Sequence, residues 1–198
     1  MIQARTESVY LIKSNKEKCS NLLQKKSFTE NEGIDFFISL HIVMEVSLDA
    51  LFRNMMLMQN KINISDIKKS KNIDSISFIN KLVMFVYGYK YKFGGDLDKA
   101  KEYHSIIETL KDFSNMRNIL LHGHSISTSY DADKSIEKSI TKQKLQKDMV
   151  NSQIEKFKYI FDGLCFYIDH MDTSMKESGK NTFKQEYLDY GFLCINNE

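Results

Sequence analysis

Residues 150–175, VNSQIEKFKYIFDGLCFYIDHMDTSM, carry apolar side chains at Val150, Ile154, Phe157, Phe161, Leu164, Ile168, Met171 and Met175. The spacing runs four, three, four, three, four, three, four, which keeps one stripe of a helix turned toward a partner. A helix with so regular a seam belongs in a bundle, and the rest of the chain reads as the helices that bundle requires. No proline interrupts the 198 residues, so nothing in the sequence forces a helix to break.

Upstream, residues 2–25 hold Val9, Leu11, Ile12, Cys19, Leu22 and Leu23 among many charges, a helical pattern suited to packing along one edge. Thr29 and Glu32 have the spacing of a capping box. They precede an apolar segment from Ile34 to about Met58 whose hydrophobic groups surround the helix and predict a central position. Residues 60–74 are polar and lysine-rich and read as a loop, and Ile76, Ile79, Leu82, Val83 and Val86 predict a helix from Ser75 to about Tyr87. Asp96 is placed to cap another helix, with Leu97, Ala100, Tyr103, Ile107, Leu110 and Phe113 on its apolar side. The fold class is therefore all-α: one domain over residues 1–198, an antiparallel bundle of about five helices with its core over about 30–175. The N-terminal helix and the tail 176–198 are additions, and Phe183, Tyr187, Tyr190 and Phe192 can anchor that tail on the body or on a second subunit.

Two polar features stand out against this scaffold. His41, Glu45, Asp49 and Arg53 recur every fourth residue on the apolar helix. They form either a solvent-facing strip with an Asp49–Arg53 ion pair or an edge that turns Glu45 or His41 toward a reaction site. The run YGYKYKFGG alternates rings with lysines, and Tyr89, Lys90, Tyr91 and Lys92 suit stacking on bases and pairing with phosphates. A helix end whose rings pack on the core explains the same residues.

Arginine occurs only at Arg5, Arg53 and Arg117, and Arg117 opens the one stretch that looks like chemistry, RNILLHG at 117–123. Its guanidinium is permanently charged and matches phosphate oxygens with a planar fork of donors, so it can hold a phosphodiester and stabilise the charge that builds during its cleavage. His122 titrates near neutrality and can carry a proton either way, and Gly123 suits the left-handed residue that ends a helix. Asn118 is placed to orient Arg117, His122 or a phosphate, and His124 is a possible accessory group. His104 and His170 have no partner in sequence and read as ordinary positions. Five residues at about 100° each put Arg117 and His122 roughly 140° apart on an ideal helix. Either the helix loosens at Leu121 and His122, or two motifs meet across a two-fold axis; the second arrangement is favoured because it supplies both an acid and a base.

RNILLHG resembles the signature of the HEPN superfamily: an arginine, four to six residues, then histidine, often with asparagine directly after the arginine. The resemblance implies a small helical bundle, commonly homodimeric, and a metal-independent RNA endonuclease of the toxin–antitoxin, abortive-infection or CRISPR-associated kind. Arg117, Asn118 and His122 are then catalytic, Glu45 and His124 accessory, and RNA the substrate, with an antitoxin or defence protein as a further partner. The expected reaction is attack of an RNA 2′-hydroxyl on its 3′-phosphate, giving a 2′,3′-cyclic phosphate and a 5′-hydroxyl without cofactor or metal. A different class of function fits the same fold: an inactive HEPN-like adaptor or RNA-binding module whose Val150–Met175 seam takes a partner protein.

Other chemistry is poorly represented. Glu45 follows His41 by four residues with no second histidine at ligand spacing, unlike a zinc-protease helix. Cys19, Cys165 and Cys194 are odd in number and far apart, which disfavours a disulfide framework and a structural zinc site and suggests a reducing, cytoplasmic setting. The charged, polar N-terminus does not read as a secretory leader, and no stretch of eighteen apolar residues occurs in the sequence, so a soluble protein without membrane association is expected.

Overall fold

The computed structural model describes residues 2–60, 76–84, 100–122, 147–169 and 186–194. All regular structure among them is helical. The main helices are α1 (Ile2–Leu23), α2 (Glu30–Asn60), a shorter segment α3 (78–84), α4 (Ala100–His122) and α5 (Lys147–Asp169), with a 3₁₀ turn at Gly191–Leu193.

The capping box forms as its spacing requires. The Thr29 N–H donates to Glu32 Oε2 at 2.9 Å and the Glu32 N–H donates to Thr29 Oγ1 at 3.3 Å, so two donors at the start of α2 are satisfied reciprocally. Lys25 also pairs with Glu32. That ammonium first, and the Thr29 N–H second, hold the Glu32 carboxyl at about 2, below the usual carboxylate range.

α1 returns antiparallel along α2. Lys18 reaches Asp35 at 3.4 Å, and the buried Cys19 thiol donates to the Phe36 carbonyl at 3.8 Å. Ile12, Cys19, Leu22 and Leu23 join the same apolar cluster as α2, so this helix packs more deeply than its charge-rich sequence suggests.

α2 is central. Phe36, Phe37, Leu40, Val43, Met44, Leu48, Leu51 and Phe52 are all buried, and α1, α4 and α5 each pack against it. Such a helix has no broad polar face, because each flank already has a neighbour.

α5 fulfils the seam through its described length: Val150, Ile154, Phe157, Phe161 and Leu164 are buried, together with Ile160. Ile168, Met171 and Met175 lie beyond the described side chains. The described part of the seam is consumed by the chain's own core, so it is not a free surface for a partner helix. α4 runs antiparallel to α5. Lys156 pairs with Asp112 at 3.1 Å. Ile106 lies so close to the Gly163 backbone that a Cβ there would sit 2.4 Å from its Cδ1. Glycine lets the two helices approach at this level.

The segment 186–194 packs on the body. Lys16 donates to the carbonyls of Glu186 at 3.2 Å and Asp189 at 2.6 Å, and lies over the Phe192 ring. Ser47 on α2 donates to the Tyr187 carbonyl at 3.0 Å, and the Tyr190 hydroxyl donates to Asp162 on α5 at 3.0 Å. Tyr187 and Leu193 are buried, so this strap ties α1, α2 and α5 together. No helix among the described residues is long and apolar enough to cross a membrane.

Candidate active site

Ile106, Ile107, Leu110, Phe113 and Met116 bury one face of α4, and the same rows of side chains carry Arg117 to the edge of that face. Arg117 is half-buried, and its Nη1 donates to Asn118 Oδ1 at 3.2 Å. A neighbouring amide thus restrains a long side chain, and its remaining N–H groups are available to an anion.

The helix stays regular through His122. It does not loosen at Leu121 and His122, so the rotation of roughly 140° between Arg117 and His122 persists. The His122 side chain and residues Gly123 and His124 lie outside the described set, as do Tyr89, Lys90, Tyr91 and Lys92 and the Asp96 cap.

On the Arg117 side of α4 the imidazole comes instead from α2. His41 is 3% exposed, stacked on Phe113 with ring centroids 5.7 Å apart and met edge-on by Phe78 at 5.0 Å. Its Nδ1 faces Glu45 Oε2 at 3.6 Å, and its Nε2 is buried with no hydrogen-bond partner. Burial, reinforced by the positive charge of nearby Arg117, pushes the imidazole down to about 4. At neutral pH it is therefore uncharged.

The polar strip of α2 is thus not solvent-facing at its start. The Glu45 side chain is 47% exposed. Asp49 bonds Arg53 Nε at 2.6 Å, the expected pair, and also takes Lys81 Nζ at 2.5 Å. Lys81 is itself buried, on a helix begun by Ser77, whose Oγ accepts the Asn80 N–H at 3.4 Å. This three-member ion cluster was not visible in the sequence, where Lys81 lies inside an apolar pattern and 32 residues from Asp49. Among the described residues no group of three or more His, Cys, Asp or Glu side chains is placed to hold a metal ion.

The neutral state of His41 has a measurable consequence. Its folded value of about 4 lies below the ordinary 6.5, so between those values the unfolded chain binds more protons than the folded one. Stability is full above about pH 6.5 and falls by on the order of 3 kcal/mol as the pH drops toward 4. His41→Phe keeps a ring against Phe113 and removes the titration. Urea unfolding at several pH values is expected to show a wild-type curve that drops over this window and a flatter His41→Phe curve; parallel curves would show that His41 is not the group responsible.

Comparison with protein-family models, with curated proteins and with solved structures finds no match to this chain.

Proposed function

We propose that the protein is a metal-independent RNA endonuclease of the HEPN-like kind, with Arg117, Asn118 and His122 as its reacting and orienting groups. The observation that supports this most is the state of Arg117. It is half-buried at the end of a core helix, restrained by Asn118, and set beside an imidazole that it helps keep neutral. A guanidinium in such a position binds a phosphodiester and stabilises the two negative charges of a pentacoordinate intermediate. His122 moves the proton. RNA supplies its own nucleophile in the 2′-hydroxyl, so the reaction requires no metal-activated water and DNA is not a substrate.

The α4 geometry favours completion of the site by a second group, either from another helix or from a second copy of the chain across a two-fold axis. Such a nuclease acts on the cell's own RNA, which suits a toxin or a defence effector held in check by a partner protein. Purified protein incubated with mixed RNA in EDTA is expected to degrade it, and His122→Ala to leave it intact. Cleavage abolished by the chelator, or undiminished in His122→Ala, contradicts the proposal. An inert wild-type protein, harmless when overproduced, points to the adaptor reading instead.

A further inference from the structure

We infer that His41 is the proton acceptor of this site, its Nε2 taking the proton of the attacking 2′-hydroxyl while Glu45 fixes the ring through Nδ1. The inference rests on the ribonuclease reading above and adds a catalytic group from a different helix.

The first argument is energetic. Leaving a buried polar nitrogen unbonded forfeits its hydration with nothing gained in exchange. His41 sits between Phe78 and Phe113, where an apolar ring would fill the space without that cost. A buried nitrogen without a partner is understandable if its hydrogen-bond partner arrives with a substrate.

The second argument is orientation. A carboxylate opposite Nδ1 favours the tautomer with its proton on that nitrogen, which leaves a lone pair on Nε2. Glu45 is half-exposed and reaches inward to the imidazole, so the pair has the order of an orienting acid behind a base. At 3.6 Å the contact is just longer than a hydrogen bond, and such contacts commonly tighten when substrate binds.

The third argument is geometric. Because α4 is helical through His122, that position lies roughly 140° around the helix from Arg117. Phe113, on which His41 stacks, lies one turn before Arg117 on the same side of α4, so a phosphate held by Arg117 lies on the side of α4 that His41 occupies. One residue type no longer has to be both acid and base.

The step balances. Nε2 takes the proton from the 2′-hydroxyl as that oxygen bonds to phosphorus. The bond from phosphorus to the 5′-oxygen breaks, and the leaving oxygen takes a proton from the His122 that a second copy of the chain brings across the two-fold axis. Among the described residues, the charged groups that act on His41 are Glu45 from its own helix and Arg117 from α4; α3 meets it through Phe78, and its Lys81 is turned to Asp49. A bound phosphate offsets the Arg117 charge and returns the imidazole toward its ordinary basicity, so the acceptor strengthens as the substrate arrives. Nε2 is buried in the free protein, so side chains packed on the ring have to shift for the substrate to reach it.

The test uses a short RNA that wild type cleaves at one linkage, and the same RNA with sulfur replacing the bridging 5′-oxygen there, a leaving group that needs no proton. Under single-turnover conditions His41→Gln is expected to lose about 100-fold or more on both substrates, with RNA affinity unchanged. His122→Ala should be slow on the oxygen substrate and recover on the sulfur one. Glu45→Gln, at a half-exposed position that tolerates the change, should lose about tenfold. His41→Gln that melts cooperatively and cleaves at the wild-type rate while His122→Ala is dead overturns the role of His41 alone. So does recovery of His41→Gln on the sulfur substrate, or, if His41→Gln does not fold, a wild-type rate in Glu45→Gln. A wild type inert on both RNAs overturns the nuclease reading and this inference with it.

Discussion

If the protein is the ribonuclease proposed, Arg117→Ala is expected to slow RNA cleavage by about a thousandfold, because it removes both the proposed phosphate clamp and the charge that would stabilise the transition state. Arg117→Lys should recover little of this. An ammonium keeps the charge but loses the planar fork and the geometry of the Asn118 bond. The loss should appear mainly in the single-turnover rate at saturating RNA, since a group that acts most strongly on the transition state affects kcat more than binding. The same substitution carries a second readout that does not depend on activity. Arg117 is the lesser of the two causes that depress His41, so in Arg117→Ala the His41 imidazole should titrate higher than about 4, yet still below its ordinary value because burial remains. An NMR titration of the histidine ring protons resolves this. An unchanged rate in Arg117→Ala would remove the arginine from the chemistry.

Phe157→Ala is expected to cost about 3–5 kcal/mol of folding stability. Phe157 is fully buried, and its ring meets Phe161 at 4.2 Å, Phe113 at 6.0 Å and Phe192 at 6.0 Å. One side chain thus joins α5 to α4 and to the C-terminal strap, and its removal leaves a cavity that none of the three can fill alone. Phe113 in turn supports the His41 ring, so the core and the site share this contact chain. Tyr159, two residues away and 41% exposed, is the control: Tyr159→Ala should stay within about 0.5 kcal/mol. Urea midpoints at constant m-value measure both. A loss below about 1 kcal/mol for Phe157→Ala would contradict the packing described.

What the sequence discloses and what it conceals follow from range. The α5 seam and the Thr29–Glu32 box are local patterns, with every partner within a few turns of one helix, and both appear as their spacing dictates. The α2 strip shows where local reasoning stops. Residues four apart advance about 400°, so each step drifts about 40° and Arg53 lies roughly 120° around the helix from His41. Exposure does not follow this drift: the side chain is 4% exposed at His41, 47% at Glu45, 27% at Asp49 and 33% at Arg53. Spacing alone cannot say which positions are covered. That depends on α4 and segment 78–84 packing against the His41 end. The Lys81–Asp49 contact and the strap bonds from Lys16 to the backbone of Glu186 and Asp189 join distant parts of the chain. No periodicity encodes such contacts, because tertiary packing creates them.

The site divides in the same way. RNILLHG draws notice as a candidate because its residue types are contiguous, with a fixed cation, an amide and an imidazole within six residues. The placing of His41 on the Arg117 side of α4 does not, because the two residues stand 76 positions apart in sequence on different helices.

The most direct test of the account is the chemistry of the RNA ends. Wild-type protein is incubated in EDTA with one RNA and with the DNA of the same sequence, and the products are analysed by mass spectrometry. The account predicts intact DNA and RNA fragments ending in 2′,3′-cyclic phosphate and 5′-hydroxyl, formed by wild type and not by Arg117→Ala. RNA fragments ending in 3′-hydroxyl and 5′-phosphate, cleavage of the DNA, or no cleavage at all would contradict it.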